Sequence, residues 1–539
     1  MLEQIPSHLK KYIVDQSEYP YTALEHATWR YILAQLTAFL YEHAHPSYRE
    51  GIKATGISLD HIPSIAEMSR HLEKLGWRAV PVSGFIPPAA FMELQSLGIL
   101  PIAREMRTFE HMMYTPAPDI VHEAAGHAPM LVNREYSEYL KEYAQVSRKA
   151  IISKQDLEVY RAIRLLSDLK ENPLATPEQV AEAHEKLLQA QKAVSFVSEA
   201  ALLARMNWWT AEYGLIGDLK NPKIYGAGLL SSVGESQSCL TDKVRKIPLT
   251  LDCINYSYDI TEPQPQLFVT PSFEHLRIVL RELQQTMSFV SGGIRGLTRA
   301  LQSELVNTVE LDSGVQISGI LVDFFISPTN QVTFLKFQGP AQICYRNEEL
   351  PDQGCDVHGE GFSSPLGLTR FNDIPLHLWE ESDWIRFGFT PEKRVTIEYL
   401  NGFILEGEVV RRWLSPTGKT LIVRLKQARL TRFDQVYFDP GWGFFDLVLG
   451  TQVTSVFGGA ADREKFIDND DFEAVKVKKD LPPKEKERVY FFEKLWELKN
   501  NQNHPKVKAA LNQLVADYKN KFGLDPLIEW ELRHCNLDQ

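Results

Sequence analysis

The sequence predicts a multidomain chain in three parts: a mainly α-helical first domain over residues 1–295, a β-rich domain over 300–460 and a helical tail over 470–539. Three observations carry this reading. The first half holds helix-start signals followed by apolar stripes at helical spacing. From about Val309 to Leu449, β-branched and aromatic runs alternate with turn residues. From Leu481-Pro482-Pro483 onward the chain is again charged and amphipathic. A length of 539 residues agrees, since at roughly 100 to 200 residues per domain it calls for about two to four cores.

Element by element, Thr22-x-x-Glu25 is a capping box ahead of Trp29, Ile32, Leu33, Leu36, Phe39 and Leu40, which share one helical face. The signal recurs at Ser64-x-x-Glu67, with Ile65, Met68, Leu72 and Leu75 as the stripe and Gly76 as the left-handed stop. A Pro- and Gly-rich loop is expected from Val80 through Gly84 to Pro88, leading into Phe91, Met92, Leu94 and Leu97. A helical hairpin is expected at about 145–190, broken at Asn172-Pro173 and restarted by Thr176-Pro177-Glu178-Gln179. In the β-rich region, Asn401-Gly402 between Val395–Tyr399 and Phe403–Leu405 predicts a tight two-residue hairpin turn. The tail shows Val489, Phe492, Trp496, Leu511, Leu514, Val515 and Tyr518 on amphipathic faces, and no internal repeat or low-complexity tract is visible.

Composition excludes several classes. With 58 Lys+Arg against 70 Asp+Glu the formal net charge is −12, which disfavours phosphate backbones and anionic lipid, so neither nucleic acid nor membrane is an expected partner. The five cysteines are scattered, with no CxxC pair for zinc or a redox disulfide. There is no basic segment followed by an apolar run at Met1–Pro6 and no uncharged apolar stretch of about 18 residues, so a cytoplasmic location is expected.

The densest chemical signal is Pro118-Asp119-Ile120-Val121-His122-Glu123-Ala124-Ala125-Gly126-His127. Imidazole is the commonest protein ligand for metals. A zinc protease sets its histidines four apart, about 40° around an ideal helix; His122 and His127 are five apart, about 140° around. For both to reach one metal the helix must deform or end near Gly126, and without more evidence a pair of structural histidines remains open. Further along, Val197, Ala201, Ala204 and Trp208 trace an apolar stripe whose next member is Glu212. A carboxylate on a core-facing stripe needs an Arg or Lys partner, a proton or a metal. Taken with the histidines, Glu212 completes two His and one carboxylate, the ligand set of non-haem Fe(II) oxygenases.

At this point four blocks resemble the pterin-dependent aromatic amino acid hydroxylase family, most of all its bacterial phenylalanine 4-monooxygenase branch. They are Gly76-Trp77-Arg78-Ala79-Val80-Pro81-Val82-Ser83-Gly84, Tyr114–Asp119 running into the histidine motif, Trp208-Trp209-Thr210-Ala211-Glu212-Tyr213-Gly214-Leu215, and Tyr225–Glu235. The resemblance covers roughly residues 15–290. It implies an aromatic amino acid hydroxylase-like catalytic domain with His122, His127 and Glu212 as the ligands of Fe(2+). It further implies that Arg107 pairs bidentately with the carboxylate of the amino acid and that Thr115 and Trp208 line the substrate pocket. Phe91 would stack on the pterin, Glu123 would sit between pterin and iron without ligating, Ser231 would orient an iron-bound histidine, and Tyr258 would order the pterin side. Taken singly, Phe91 and Trp208 also suit plain core aromatics, Ser231 a turn hydroxyl and Arg107 a surface cation. The glycines of Gly226-x-Gly228 do not fit a dinucleotide loop and suit a tight backbone turn near the metal.

The activity implied is ring hydroxylation of an aromatic L-amino acid with O2 and a tetrahydropterin as two-electron donor. One oxygen atom enters the ring and the other goes to the pterin. L-phenylalanine is the default substrate, with tryptophan or tyrosine as alternatives, because pocket-side positions such as Asn207 vary. A hydrolytic zinc enzyme and a non-catalytic pterin- or amino-acid-binding relative are the rival classes. The hairpin lengthens the gap between the histidines and Glu212, and the chain after 290 is unlike the family's short tetramerisation segment. The C-terminal half is expected to mediate homo-oligomer assembly or to cover the active site.

Overall fold

A computed structural model describes residues 5–113, 118–258, 263–467, 481–500 and 507–534. The first long helix, Ala23–His43, begins where the Thr22 hydroxyl accepts from the Glu25 N–H and the Glu25 carboxylate accepts from the Thr22 N–H at 2.8 Å. Its Trp29, Ile32, Leu33, Leu36 and Leu40 are fully buried at the centre of the largest core. At Ser64 only half of the expected box forms. The Ser64 hydroxyl caps the Glu67 N–H, but the Glu67 carboxylate pairs with Arg70 instead, and Gly76 ends the segment at φ 73°.

The expected loop at Val80 begins later than the composition suggests, because Arg78–Val82 is a strand paired in parallel with Ile99–Ala103. Parallel strands need a crossover, and the helix Pro88–Ser96 supplies it. Val80, Val82, Leu94 and Ile99 close a small separate core with Ile5, Leu9 and Tyr12. A second, four-stranded sheet runs in the order Asn221–Ile224, Leu215–Asp218, Gln266–Thr270, Arg245–Pro248. Helices Lys154–Lys170 and Pro177–Ala193 form a hairpin with its own cluster of Leu166, Ala183 and Leu187.

The β-rich part holds two antiparallel sheets, each with its own core. In the first, the strand Val453–Gly458 returns to pair with Val306–Leu311, so the two ends of the region meet. In the second, the turn at Asn401-Gly402 has three residues rather than two: Tyr399 pairs with Phe403 and only Gly402, at φ 89°, takes the left-handed position. Asn401 stays at negative φ, which is the three-residue pattern of a turn followed by a left-handed residue. Just past the returning strand, Arg463 pairs with Glu93 of the first domain at 2.7 Å and donates to the Arg148 carbonyl.

The tail helices Pro483–Asn500, Val507–Phe522 and Pro526–Arg533 fold back on the first long helix. Phe492, Leu495, Leu511, Tyr518, Leu527 and Ile528 are buried in the same core as Trp29. Arg30 holds Glu531, which is 1% exposed, at 2.8 Å, and Lys499 completes the charge triad. Among the described residues no helix is long and apolar enough to cross a membrane.

Candidate functional site

The segment carrying both histidines, Val121–His127, is a π-helix. Hydrogen bonding from i to i+5 places residues five apart one turn apart, so His122 and His127 share a face, which an α-helix denies them. Their rings lie 4.9 Å apart at 83°. Gly126 permits a close crossing, since a Cβ there would lie 2.7 Å from the Ala227 carbonyl oxygen. Asp119 anchors the start by accepting from the His122 N–H at 3.0 Å.

Glu212 arrives by the same device, though not along the expected stripe. Val197 precedes the helix Glu199–Asn207 and is 49% exposed, Ala204 is exposed, and the buried face is Glu199, Leu203 and Met206. The helix then widens into a π-turn over Trp208–Glu212, with the Tyr213 N–H bonded to the Trp208 carbonyl, and the added residue resets the phase. Glu212 then faces both imidazoles: Oε2 is 3.3 Å from His122 Nε2 and Oε1 is 3.3 Å from His127 Nε2. The partner of this half-buried carboxylate is therefore the imidazole pair, with Asn207 Nδ2 donating to it at 3.3 Å. Gly226 passes behind, where a Cβ would lie 2.4 Å from the Glu212 carbonyl oxygen.

Ser231 sets the tautomer. Its hydroxyl donates to the Ala227 carbonyl at 2.8 Å, so its oxygen is left to accept from His122 Nδ1 at 3.1 Å. With the proton on Nδ1, the Nε2 lone pair points at Glu212 and is free for a metal. Burial works to raise the Glu212 carboxyl, but positive charge on the imidazole side, the place a metal cation would take, outweighs it and holds the group below the ordinary carboxylate range. Glu123 is the opposite case. Burial pushes it up to about 8, and its Oε2 finds no hydrogen-bond partner among the described residues. Although His122, Glu123 and His127 bring donor atoms within 4.8 Å of one another, the charged carboxylate between the two Nε2 atoms is Glu212. Two neutral imidazole nitrogens and one anionic oxygen converging on one point fit Fe(II) or a similar divalent ion.

Arg107 is 3% exposed, not a surface cation. Its bidentate pair is made with Asp119 and not left open for a substrate: Nε donates to Oδ2 at 2.7 Å and Nη2 to Oδ1 at 2.8 Å. A buried guanidinium without a carboxylate would be costly, which is why the fold supplies one. Nη1 donates to the Ser231 carbonyl at 3.2 Å, so three of the five donors are taken. Trp208 is stacked on both faces, by Tyr258 at 4.3 Å and Tyr213 at 4.6 Å, and its indole N–H donates to Gln264. Only an edge of the indole is left to a ligand. Phe91 is half-buried against the separate core around Val80 and Leu94. Thr115 and the Thr261-Glu262 pair that follows Tyr258 lie outside the described residues.

The profile of the biopterin-dependent aromatic amino acid hydroxylases matches residues 10–160 and 173–290. The chain belongs to this family. The chain is 28% identical over 264 residues to the phenylalanine-4-hydroxylase of Mesorhizobium japonicum, covering 48% of this chain and 80% of that one. Against the Bos taurus phenylalanine-4-hydroxylase it is 30% identical over 276 residues, covering 50% of this chain and 51% of that one. The chain thus spans about half the length of the mammalian hydroxylase. The solved phenylalanine hydroxylase of Legionella pneumophila is similar at 27% identity with a TM-score of 0.39, over 51% of this chain and 94% of that one.

Within this site, sequence reasoning missed Asp119 as the partner of Arg107, and the set Tyr213, Glu235 and Gln264 behind Trp208. The Glu235 carboxylate accepts from the Tyr213 hydroxyl at 3.1 Å and the Gln264 N–H at 3.3 Å. Asp119, three residues ahead of His122, carried the signal of a helix-start acceptor. In the Trp208 set, Glu235 and Gln264 lie too far from Trp208 in sequence to leave one.

Proposed function

We propose that this protein is an Fe(II)- and tetrahydropterin-dependent monooxygenase that hydroxylates the ring of an aromatic L-amino acid with O2, with L-phenylalanine as its substrate. The observation that carries the reading is the convergence of His122 Nε2, His127 Nε2 and the Glu212 carboxylate, with Ser231 holding the far nitrogen of His122. When bound, the iron and reduced pterin supply oxygen activation and two electrons. His122, His127 and Glu212 hold the metal. The two guanidinium donors of Arg107 beyond Asp119 and Ser231 take the carboxylate of the amino acid. The edge of Trp208 and Thr115 border the substrate ring, while Phe91 and Tyr258 order the pterin. Glu123, a buried acid, would stand between pterin and metal without ligating. The apolar shell around these groups keeps bulk water from the reacting atoms.

The test is product analysis after supplying Fe(II), a tetrahydropterin and O2 to the purified protein with Phe, Tyr and Trp in separate reactions. Tyrosine formed from phenylalanine is the expected result. No product from any of the three, with iron bound stoichiometrically, overturns the proposal.

A further inference from the structure

Two elements outside the matched family segments meet on one short stretch of the site. The family match omits residues 161–172 and ends at 290. The first omitted piece carries Glu171, the C-cap of the first hairpin helix. Its Oε2 accepts from the Thr108 N–H at 3.2 Å and its Oε1 lies 2.7 Å from His111 Nδ1. The second piece is the tail, whose first helix presents Arg488. This side chain is only 8% exposed and its guanidinium lies 4.2 Å from the centre of the Phe109 ring. Nη1 of Arg488 pairs with Glu110 at 3.3 Å and with Glu485 of its own helix at 3.0 Å, and Phe522 of the next tail helix flanks it at 5.2 Å.

Residues 108–111 are thus gripped from both sides, and they directly follow Arg107. We infer that Arg488 and Glu171 are positioning residues that hold the Arg107 loop in the geometry that receives the carboxylate of the amino acid. The inference rests on the role given to Arg107 above. The first anchor, Asp119, fixes the guanidinium and the Arg107 N–H, the latter at 3.1 Å, but neither bond reaches residues 108–111. The backbone acceptor at Thr108 and the cation on Phe109 do so. The tail is not passive cover: its buried residues Phe492 and Tyr518 seat the helix on the core, and Arg488 projects from that seat onto the loop. On this account the extra segments serve amino acid binding and leave pterin and iron binding alone.

The experiment compares full-length wild type with Arg488→Ala, Arg488→Lys and Phe109→Leu, with Glu171→Gln as the hairpin counterpart. Hydrogen exchange over residues 104–113 should quicken about tenfold in Arg488→Ala and recover in part in Arg488→Lys, which keeps the charge but not the planar stack. The KM and the calorimetric dissociation constant for L-phenylalanine should rise about three- to tenfold, while kcat and the KM for tetrahydropterin stay within about twofold. Arg488→Ala and Phe109→Leu together should cost less than the sum of the two. Unchanged exchange in the loop overturns the inference, and so does quickened exchange with an unchanged phenylalanine constant. A wild type that neither binds nor hydroxylates any aromatic amino acid overturns the functional reading instead, and the exchange measurement still decides whether the loop is held.

Discussion

Replacing Ser231 by alanine should weaken Fe(II) binding by about tenfold, and by at most about a hundredfold, while leaving the fold intact. The Ser231 oxygen accepts from His122 Nδ1 at 3.1 Å because its own proton goes to the Ala227 carbonyl at 2.8 Å. Alanine removes the acceptor, so His122 loses its orientation and its preference for the tautomer with a free Nε2. One neutral hydrogen bond contributes about 0.5–1.5 kcal/mol, and loss of a bond behind a metal-ligating histidine costs about 10- to 100-fold in affinity, or about 1.4–2.8 kcal/mol. The two ranges meet near tenfold. The site is 3% exposed and the change removes one atom, so the thermal midpoint should move by only a few degrees. The assay is competition for Fe(II) against a chelator of known strength, with a thermal scan of the apoprotein beside it. Wild-type iron affinity in Ser231→Ala refutes the tautomer argument, and a collapse of the apoprotein refutes the claim that the bond acts on the metal rather than on the fold.

Three further outcomes follow from the geometry. Glu212→Ala and His122→Ala should each lose bound iron by metal analysis together with turnover, and full activity in either ends the ligand assignment. Gly126→Ala should lower stability by about 1–3 kcal/mol in a denaturant titration, because the new Cβ falls 2.7 Å from the Ala227 carbonyl; an unchanged midpoint would mean the crossing is looser than described. Glu93 is 6% exposed and burial works to raise its pKa, but His8 and Arg463 outweigh burial and bring it to about 2 from 4.5. A depressed carboxyl stabilises above its unfolded pKa and loses that as pH falls through its folded one, so the stability advantage over Glu93→Gln, on the order of 3 kcal/mol, should shrink between about pH 4.5 and 2. An advantage that stays constant across that window contradicts the pairing of Glu93 with His8 and Arg463.

Much of the fold was legible where the deciding interaction spans three or four residues. Thr22 with Glu25 and Thr176 with Gln179 start their helices by reciprocal hydrogen bonds visible in the sequence itself. The candidate metal ligands were legible for a different reason: two histidines five apart and a carboxylate in an apolar stretch are costly unless something uses them. The expectation for Glu212 named a residue that does lie beside both imidazoles, but along a face that is not the buried one. It assumed an α-helical period across Trp208–Glu212, and a π-turn there shifts every side chain.

The sequence by itself determined the helical starts, the donor types of the candidate metal site and the family of the chain, because these depend on neighbours along the chain or on residue chemistry alone. Only the tertiary structure decided that Asp119 takes the fork of Arg107, that Tyr213 and Tyr258 cover both faces of Trp208, and that Arg30 seats Glu531 from 501 residues away. Each of these joins a buried polar or aromatic group to a partner chosen by packing, and burial makes the partner obligatory without saying where along the chain it lies. The grip of Glu171 and Arg488 on residues 108–111 is of the same kind: two distant segments meet there because their apolar faces had to be buried somewhere, and the core around the first helix and the hairpin's own cluster fixed where.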